Sequence, residues 1–144
     1  MVKVRHFAEF ESDLPTDAIL TRDAVIQVGG KTVAEEVGKI LAGLGCQVDD
    51  PWLQGENGWQ FYVRIKRRKL LCQVVHIEKF LLLLEDLSFL DKIFPRPPNQ
   101  AYLETLTRLA EELEKDARFH GVGWHSEDEI LQNTPGAKRP VSED

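Results

Sequence analysis

Between Trp59 and Ile65 apolar and polar residues alternate without a break. Trp59, Phe61, Val63 and Ile65 fall on one side, with Gln60, Tyr62, Arg64 and Lys66 on the other, the period of two that marks a strand with one buried face. A two-residue turn at Arg67-Arg68 predicts a hairpin pairing Trp59 with His76, Phe61 with Val74, Val63 with Cys72 and Ile65 with Leu70. A slip of one residue would carry Arg64 into that apolar set, so the pattern favours this register. Arg-Arg is a poor type I′ pair, which leaves a longer loop or a bulge as the alternative. With a second turn at Glu78-Lys79 a third strand follows, Phe80 to Glu85, and Leu71, Val75 and Ile77 then share a reverse face with Phe80, Leu82 and Leu84. Both faces of this meander are apolar, which predicts a cover on each.

The remaining elements are arranged around the meander. Residues 2–10 read as an edge strand with Val2, Val4, His6 and Ala8 on one side, and Pro15 marks a loop from Ser12 to Thr16. Ala24 to Val28 is a short apolar run, strand or docked loop, ending at Gly29-Gly30. A helix over about 31–45 follows from the stripe Val33, Val37, Ile40, Leu41 and Leu44, with Thr32 and Glu35 placed for a capping box and Gly45 for the stop. Gly38 and Gly43 suit a close approach to the sheet. Cys46 to Val48 begins a short strand, and Trp52 to Gly58 is a loop. Asp86 to Phe94 reads equally as a short helix or an irregular cover before Pro95, Pro97 and Pro98. Asn99 caps a second helix, about 99–117, whose stripe is Leu103, Leu106, Ala110, Leu113 and Ala117, widened by Tyr102 and Leu109. Phe119 to Trp124 gives a final strand, and Ser126 caps a single turn through Leu131. From Gln132 onward the chain lacks apolar residues and is predicted disordered. The fold class is therefore α+β: an antiparallel meander sheet of four to six strands with two main helices, one domain over 1–131 and a disordered tail over 132–144.

Charge qualifies this picture. The 144 residues carry net −6, distributed as −5 over 1–57, +4 over 58–97 and −5 over 98–144. Such a surface repels nucleic acid over most of its extent and suits a basic protein partner. No apolar run reaches the roughly 20 residues of a membrane helix, and the N-terminus lacks a signal-peptide core. Cys46 and Cys72 form no CxxC pair, so a buried free thiol at Cys72 and a cytoplasmic location are expected.

The candidate chemistry is sparse. His120 and His125 are five apart, on opposite faces of a regular strand, and no HExxH or Cys/His cluster accompanies them, so no metal site or cofactor is predicted. Cys72 and His76 share a strand face at i and i+4, about 13 Å apart by the usual rise, too far for a direct dyad. Gly29-Gly30-Lys31-Thr32 resembles a phosphate loop only superficially: the spaced first glycine is missing, and Glu35 and Glu36 oppose an anion. No catalytic residue is assigned. Partner-binding candidates fall in two patches. Tyr62, Arg64, Lys66, Arg67 and Arg68 form a basic tip, which reads first as a solubilised hairpin end in an otherwise acidic chain; Trp124, His125, Glu127, Asp128 and Glu129 combine a hot-spot residue type with an acidic run, and read equally as a buried Trp124 before an ordinary helix start.

The succession LAGLGCQVDD, GENGWQFYVRI, a meander, a long acidic helix and RFHGVGWHSEDEIL resembles small immunity proteins of contact-dependent or polymorphic toxin systems in bacteria. The resemblance lies in length, acidity and α+β order, and no functional residue is carried over from it. It implies a non-enzymatic cytoplasmic protein that covers a cognate toxin domain, often a basic nuclease. Two other readings stand beside it. A secretion-type chaperone would be a homodimer burying an apolar surface, and an enzyme or small-ligand protein would gather His76, His120 or His125 with a carboxylate in one pocket.

Overall fold

The computed structural model describes residues 2–87 and 97–143. Three consecutive strands, β7 (Trp59–Ile65), β8 (Arg68–His76) and β9 (Phe80–Asp86), form the expected meander. In its first hairpin Trp59 pairs with Val74, Phe61 with Cys72, Val63 with Leu70 and Ile65 with Arg68. The register thus lies two residues from the predicted one, and the turn is Lys66-Arg67. A shift of two keeps every side chain on its face, so alternation alone cannot distinguish the two registers. Lys66 and Arg67 adopt φ of 45° and 66°, the pair of positive angles that a type I′ turn requires.

The second turn holds three residues, Ile77 to Lys79, so that His76 pairs with Phe80, Val74 with Leu82 and Cys72 with Leu84. One residue more than predicted reverses the faces of β9. Phe80, Leu82 and Leu84 therefore lie with Phe61, Cys72 and Val74 in the core, each at most 3% exposed. The reverse side of β8 and β9 instead carries Leu71, Val75, Leu81 and Leu83, all but Val75 only half-buried.

The N-terminal stretch is two strands rather than one: β1 (Val2–Val4) and β2 (Phe7–Ser12). β2 is not an edge, because it lies between β9 and the late strand β10 (Phe119–His125). Its Ala8 and Phe10 are buried, which leaves Phe7, Glu9 and Glu11 on the reverse side. At the opposite edge two short strands, β5 (Gln47–Val48) and β6 (Trp52–Leu53), both pair with β7. The sheet is antiparallel, has seven strands and runs β10-β2-β9-β8-β7, then β5 and β6. A separate hairpin joins β3 (Ile19–Leu20) to β4 (Val25–Gln27).

Two long helices contribute their apolar stripes to the same core. In α1 (Lys31–Gly43), Val33, Val37 and Leu41 are fully buried. Thr32 is not the cap. Its amide donates at 2.7 Å to the carboxylate of Asp17, fifteen residues upstream, and Gly30 occupies the cap position. Gly30 has φ of 125°, and a Cβ there would meet the Val74 carbonyl oxygen at 2.9 Å, so the glycine pair serves close packing. The helix ends as predicted: the Gly45 amide donates to Ala42 O and the Cys46 amide to Leu41 O, the two bonds of a Schellman stop.

The second helix, α2 (Gln100–Lys115), begins at Asn99, whose side chain accepts from the Tyr102 amide at 3.1 Å. Its buried stripe follows the predicted one as far as Leu113, with Thr105 added, but the helix stops at Lys115 and Ala117 is exposed beyond it. Tyr102 anchors it to the sheet by donating its hydroxyl proton to Leu84 O at 2.7 Å, while His6 Nδ1 lies 2.6 Å from the same oxygen. With that proton committed to Leu84, His6 is the donor to tyrosine. Burial holds the His6 imidazole below its ordinary pKa, so it stays neutral.

The segment after Gln132 is a further departure from prediction. A short helix α3 (Glu127–Leu131) is followed by β11 (Val141–Glu143), which pairs with β1, Val2 to Glu143 and Val4 to Val141. Hydrogen bonds and a little apolar packing hold it: the Arg5 amide donates to Pro140 O at 2.7 Å, the Arg5 guanidinium donates to Ser142 Oγ at 2.9 Å, Pro140 is buried and Val141 packs against the core. The undecided segment before the prolines lies, from residue 88 to 94, outside the described residues.

Replacing the strained turn by Lys66→Asn with Arg67→Gly is expected to raise stability by about 1 kcal/mol, since those residues enter left-handed backbone at less cost. A higher urea midpoint measures it. Tyr102→Phe removes the donor to Leu84 O and the acceptor for His6, and should lower stability by about 1–3 kcal/mol in the same assay.

Candidate binding groove on the reverse face of the sheet

The reverse side of the sheet holds a groove built by a break in the β2–β10 ladder. His120 pairs with Glu11, but Gly123 pairs with Glu9, so β10 carries one extra residue between them. Gly121, at φ 62°, lies in this bulge. The extra residue overturns the expectation that His120 and His125 point to opposite faces. His125 pairs with Phe7 and His120 with Glu11, and both rings therefore share the reverse side.

The chain then crosses back over this side. Trp124 and Ala137 exchange backbone hydrogen bonds of 2.8 and 2.9 Å, which ties the segment before Ala137 alongside β10. The crossing needs two glycines in register: a Cβ on Gly136 would meet Gly123 Cα at 2.6 Å and His125 Nε2 at 3.1 Å. Asn133 to Gly136 thereby wall one side of an open groove of about 760 Å³. Val75, Ile77 and Leu81 give it apolar surface, and Glu9, Glu11 and Glu78 line it with carboxylates, against the single lysine Lys79. A smaller hollow of about 420 Å³ shares Glu11, Glu78 and Lys79 with it and adds Asp13, His76 and His120.

The histidines in these hollows are engaged with neighbours. His125 is 5% exposed, with Nε2 3.2 Å from Glu9 and a buried Nδ1 that finds no hydrogen-bond partner among the described residues. His120 Nε2 lies 3.0 Å from Asp13. His76 is bonded through Nδ1 to the Thr16 hydroxyl and stacks on Phe80 at 4.1 Å. His76 and His120 thus line one hollow with Glu11, Asp13 and Glu78, the gathering expected of an enzyme or small-ligand protein. Among the described residues no group of three or more His, Cys, Asp or Glu side chains is arranged to hold a metal. Cys72 lies on the core face, where burial pushes its thiol pKa up, and burial does the same to Cys46. Carboxylates around apolar surface suit the binding of a cationic segment with apolar side chains.

The residues singled out in the sequence are differently placed. The basic tip is divided into ion pairs: Arg64 with Asp49 at 3.2 Å, Lys66 with Glu104 at 4.0 Å, and Arg68 with Asp86. Tyr62 packs 5.1 Å from Trp52 beneath the Lys69 ammonium, and Arg67 stands exposed at the turn. Trp124 is 1% exposed and belongs to the core, so it offers nothing to a partner. Glu129 is a structural residue. It completes the capping box with Ser126 and receives Arg5 at 3.0 Å and Lys3 at 3.5 Å. Glu127 and Asp128 remain exposed at the first turn of α3. The groove carboxylates Glu9 and Glu11 were missed, although they alternate with Ala8 and Phe10.

The groove and the antiparallel sheet define an α+β domain with an acidic, partly apolar cleft. Compared with known proteins, the chain matches no family model, no curated protein and no solved structure. Among the described residues no helix is long and apolar enough to cross a membrane.

Glu129 has a pH signature. The Ser126 amide, and after it the Arg5 charge, hold its carboxyl at about 2 against an ordinary 4.5. A depressed carboxylate pKa contributes stability above 4.5 that is lost as pH falls from 4.5 toward 2. The urea midpoint of the wild type should therefore exceed that of Glu129→Gln at pH 6, with the difference narrowing through that window.

Proposed function

We propose that this chain is a non-enzymatic protein-binding module of immunity type, which captures a basic toxin domain and covers its working surface. The observation that carries the reading is the reverse-face groove. It joins Glu9, Glu11 and Glu78 to the apolar Val75, Ile77 and Leu81, and it opens on a chain of net −6. Opposite charge speeds encounter, and apolar surface in the same cleft slows release once solvent is expelled. No bond in the partner needs to be made or broken for such capture. A cytoplasmic location belongs to this proposal, because the toxin would be met inside the cell. A chaperone-type homodimer is the second reading, favoured by the apolar hairpin β3–β4, where Leu20 and Ile26 are 67% and 62% exposed.

The test is co-expression with the product of the adjacent gene. The wild type is expected to co-purify with it and to protect the cells that make it. Glu9→Lys with Glu11→Lys should weaken capture at least tenfold, about 1.4 kcal/mol or more, and make the remainder less sensitive to salt. Failure of the wild type in both co-purification and protection removes the immunity reading.

A further inference from the structure

Among the described residues seven large apolar side chains are exposed, and five of them gather in one region, with Ile77 and Leu131 standing apart. Ile19, Leu20, Val25 and Ile26 are 50%, 67%, 60% and 62% exposed, all on the β3–β4 hairpin, and Leu53 at 40% shares a shallow hollow with Val25 and Ile26. Together these exposures amount to nearly three whole aliphatic side chains. Single exposed residues are ordinary on a soluble protein, whereas a contiguous set marks a contact surface.

The hairpin is held firmly at its base. Gln27 Nε2 donates to Asp17 O at 2.9 Å, and the Asp17 carboxylate takes the Thr32 amide at the start of α1. Trp59 Nε1 donates to Val28 O at 3.1 Å, and the Gly30 amide to Thr16 O at 2.7 Å. At the tip the Thr21 amide donates to Ala24 O at 2.8 Å. β3 and β4 pair with each other and with no other described strand. An isolated two-stranded hairpin is marginal in water and leaves both outer edges open for pairing. The fold thus presents exposed apolar side chains on an element that is anchored at its base and joins no other described strand.

Charge selects the occupant. From Ala18 to Val28 the charged residues are Arg22 and Asp23, which cancel, while the chain as a whole carries −6. A basic partner is drawn to the carboxylates of the groove rather than to a neutral hairpin. Two copies of this chain repel each other across most of their surfaces, and a neutral apolar patch is where that repulsion is least. A twofold contact also needs a surface that complements itself, and a neutral hairpin with open edges meets that condition.

We propose that the β3–β4 hairpin is a self-association surface, on which the cross-strand pair Leu20 and Val25, with Ile26, packs against the same residues of a second copy. Stable interfaces bury about 800 Å² per partner, and an apolar patch of a few hundred Å² is the core of one rather than the whole. The resulting dimer dissociates in the micromolar range. This contact is independent of the groove and of what the groove binds.

Sedimentation velocity on the full chain, from about 1 to about 200 µM, brackets that constant. The wild type is expected to pass from monomer to dimer across the series. Leu20→Glu with Ile26→Glu should remain monomeric throughout, with an unchanged circular dichroism spectrum because both side chains are mostly exposed. Leu131→Glu alters a residue 77% exposed, outside both the hairpin and the groove, and should dimerise like the wild type. A wild type that stays monomeric at every concentration overturns the proposal. So does a dimer that survives Leu20→Glu with Ile26→Glu, or one that Leu131→Glu abolishes.

Discussion

The placement of every functional group depends on the number of residues in one turn. Ile77, Glu78 and Lys79 form a three-residue loop, so His76 faces Phe80 and the even-numbered residues of β9 join those of β8 in the core. With two residues in the loop, Leu81 and Leu83 would enter the core and Leu82 and Leu84 would leave it. Both strands are apolar enough to permit either arrangement. The selection comes from the partners: Phe80 stacks on Phe10 at 5.7 Å, and the Leu84 carbonyl receives Tyr102. Once that face is covered by α1 and α2, the other side of the sheet is where a ligand can approach.

Concavity on that reverse side comes from irregularity rather than from the ladder. A regular pairing of β2 with β10 would separate His120 from His125, and the bulge at Gly121 places both on one side. The returning chain meets the strand at Gly123 and Gly136, where side chains of any size would hold it away. These features share one backbone logic, in which glycine admits a left-handed bulge and then a close crossing. The same glycines look, in sequence, like a weakened strand.

Much of the fold was legible because helix and strand periods are local. The stripe of α1, the cap at Asn99 and the stop at Gly45 follow from residues within a turn or two of each other. Apart from the hairpin turn at Lys66-Arg67 and the bulge at Gly121, which are set locally, the failures share a cause: each depended on a distant partner. Thr32 and Glu35 match a capping box, yet the carboxylate at the α1 start is that of Asp17. The C-terminal segment looks too polar to fold, yet β1 gives it a ladder and Arg5 a side-chain bond. The site was less legible than the fold. Glu9 and Glu11 become groove residues only because β2 lies inside the sheet, which their own alternation does not reveal. Trp124 was a partner-binding candidate as a hot-spot residue type beside an acidic run, against the even alternative of a buried Trp, and it is buried because Ala8, its pair across the ladder, faces the core.

Charge along the chain also misleads until the chain is folded. The stretch 58–97 holds an excess of four positive charges in sequence, but Arg64, Lys66 and Arg68 meet Asp49, Glu104 and Asp86 at the end of the first hairpin. The two exposed pairs, Arg64 with Asp49 and Lys66 with Glu104, add little stability, usually less than about 1 kcal/mol each. Their larger effect is to reduce the positive field that the sequence places at one edge. The carboxylates of the groove have fewer cations near them: Glu9 faces His125, and Lys79 is the one lysine in the lining. Three charges of the basic tip are thus partnered, and a strand that drew no functional assignment becomes the acidic site. Capture of a cation is governed by this folded distribution, because screening limits each charge to a range of about 10 Å at ordinary salt.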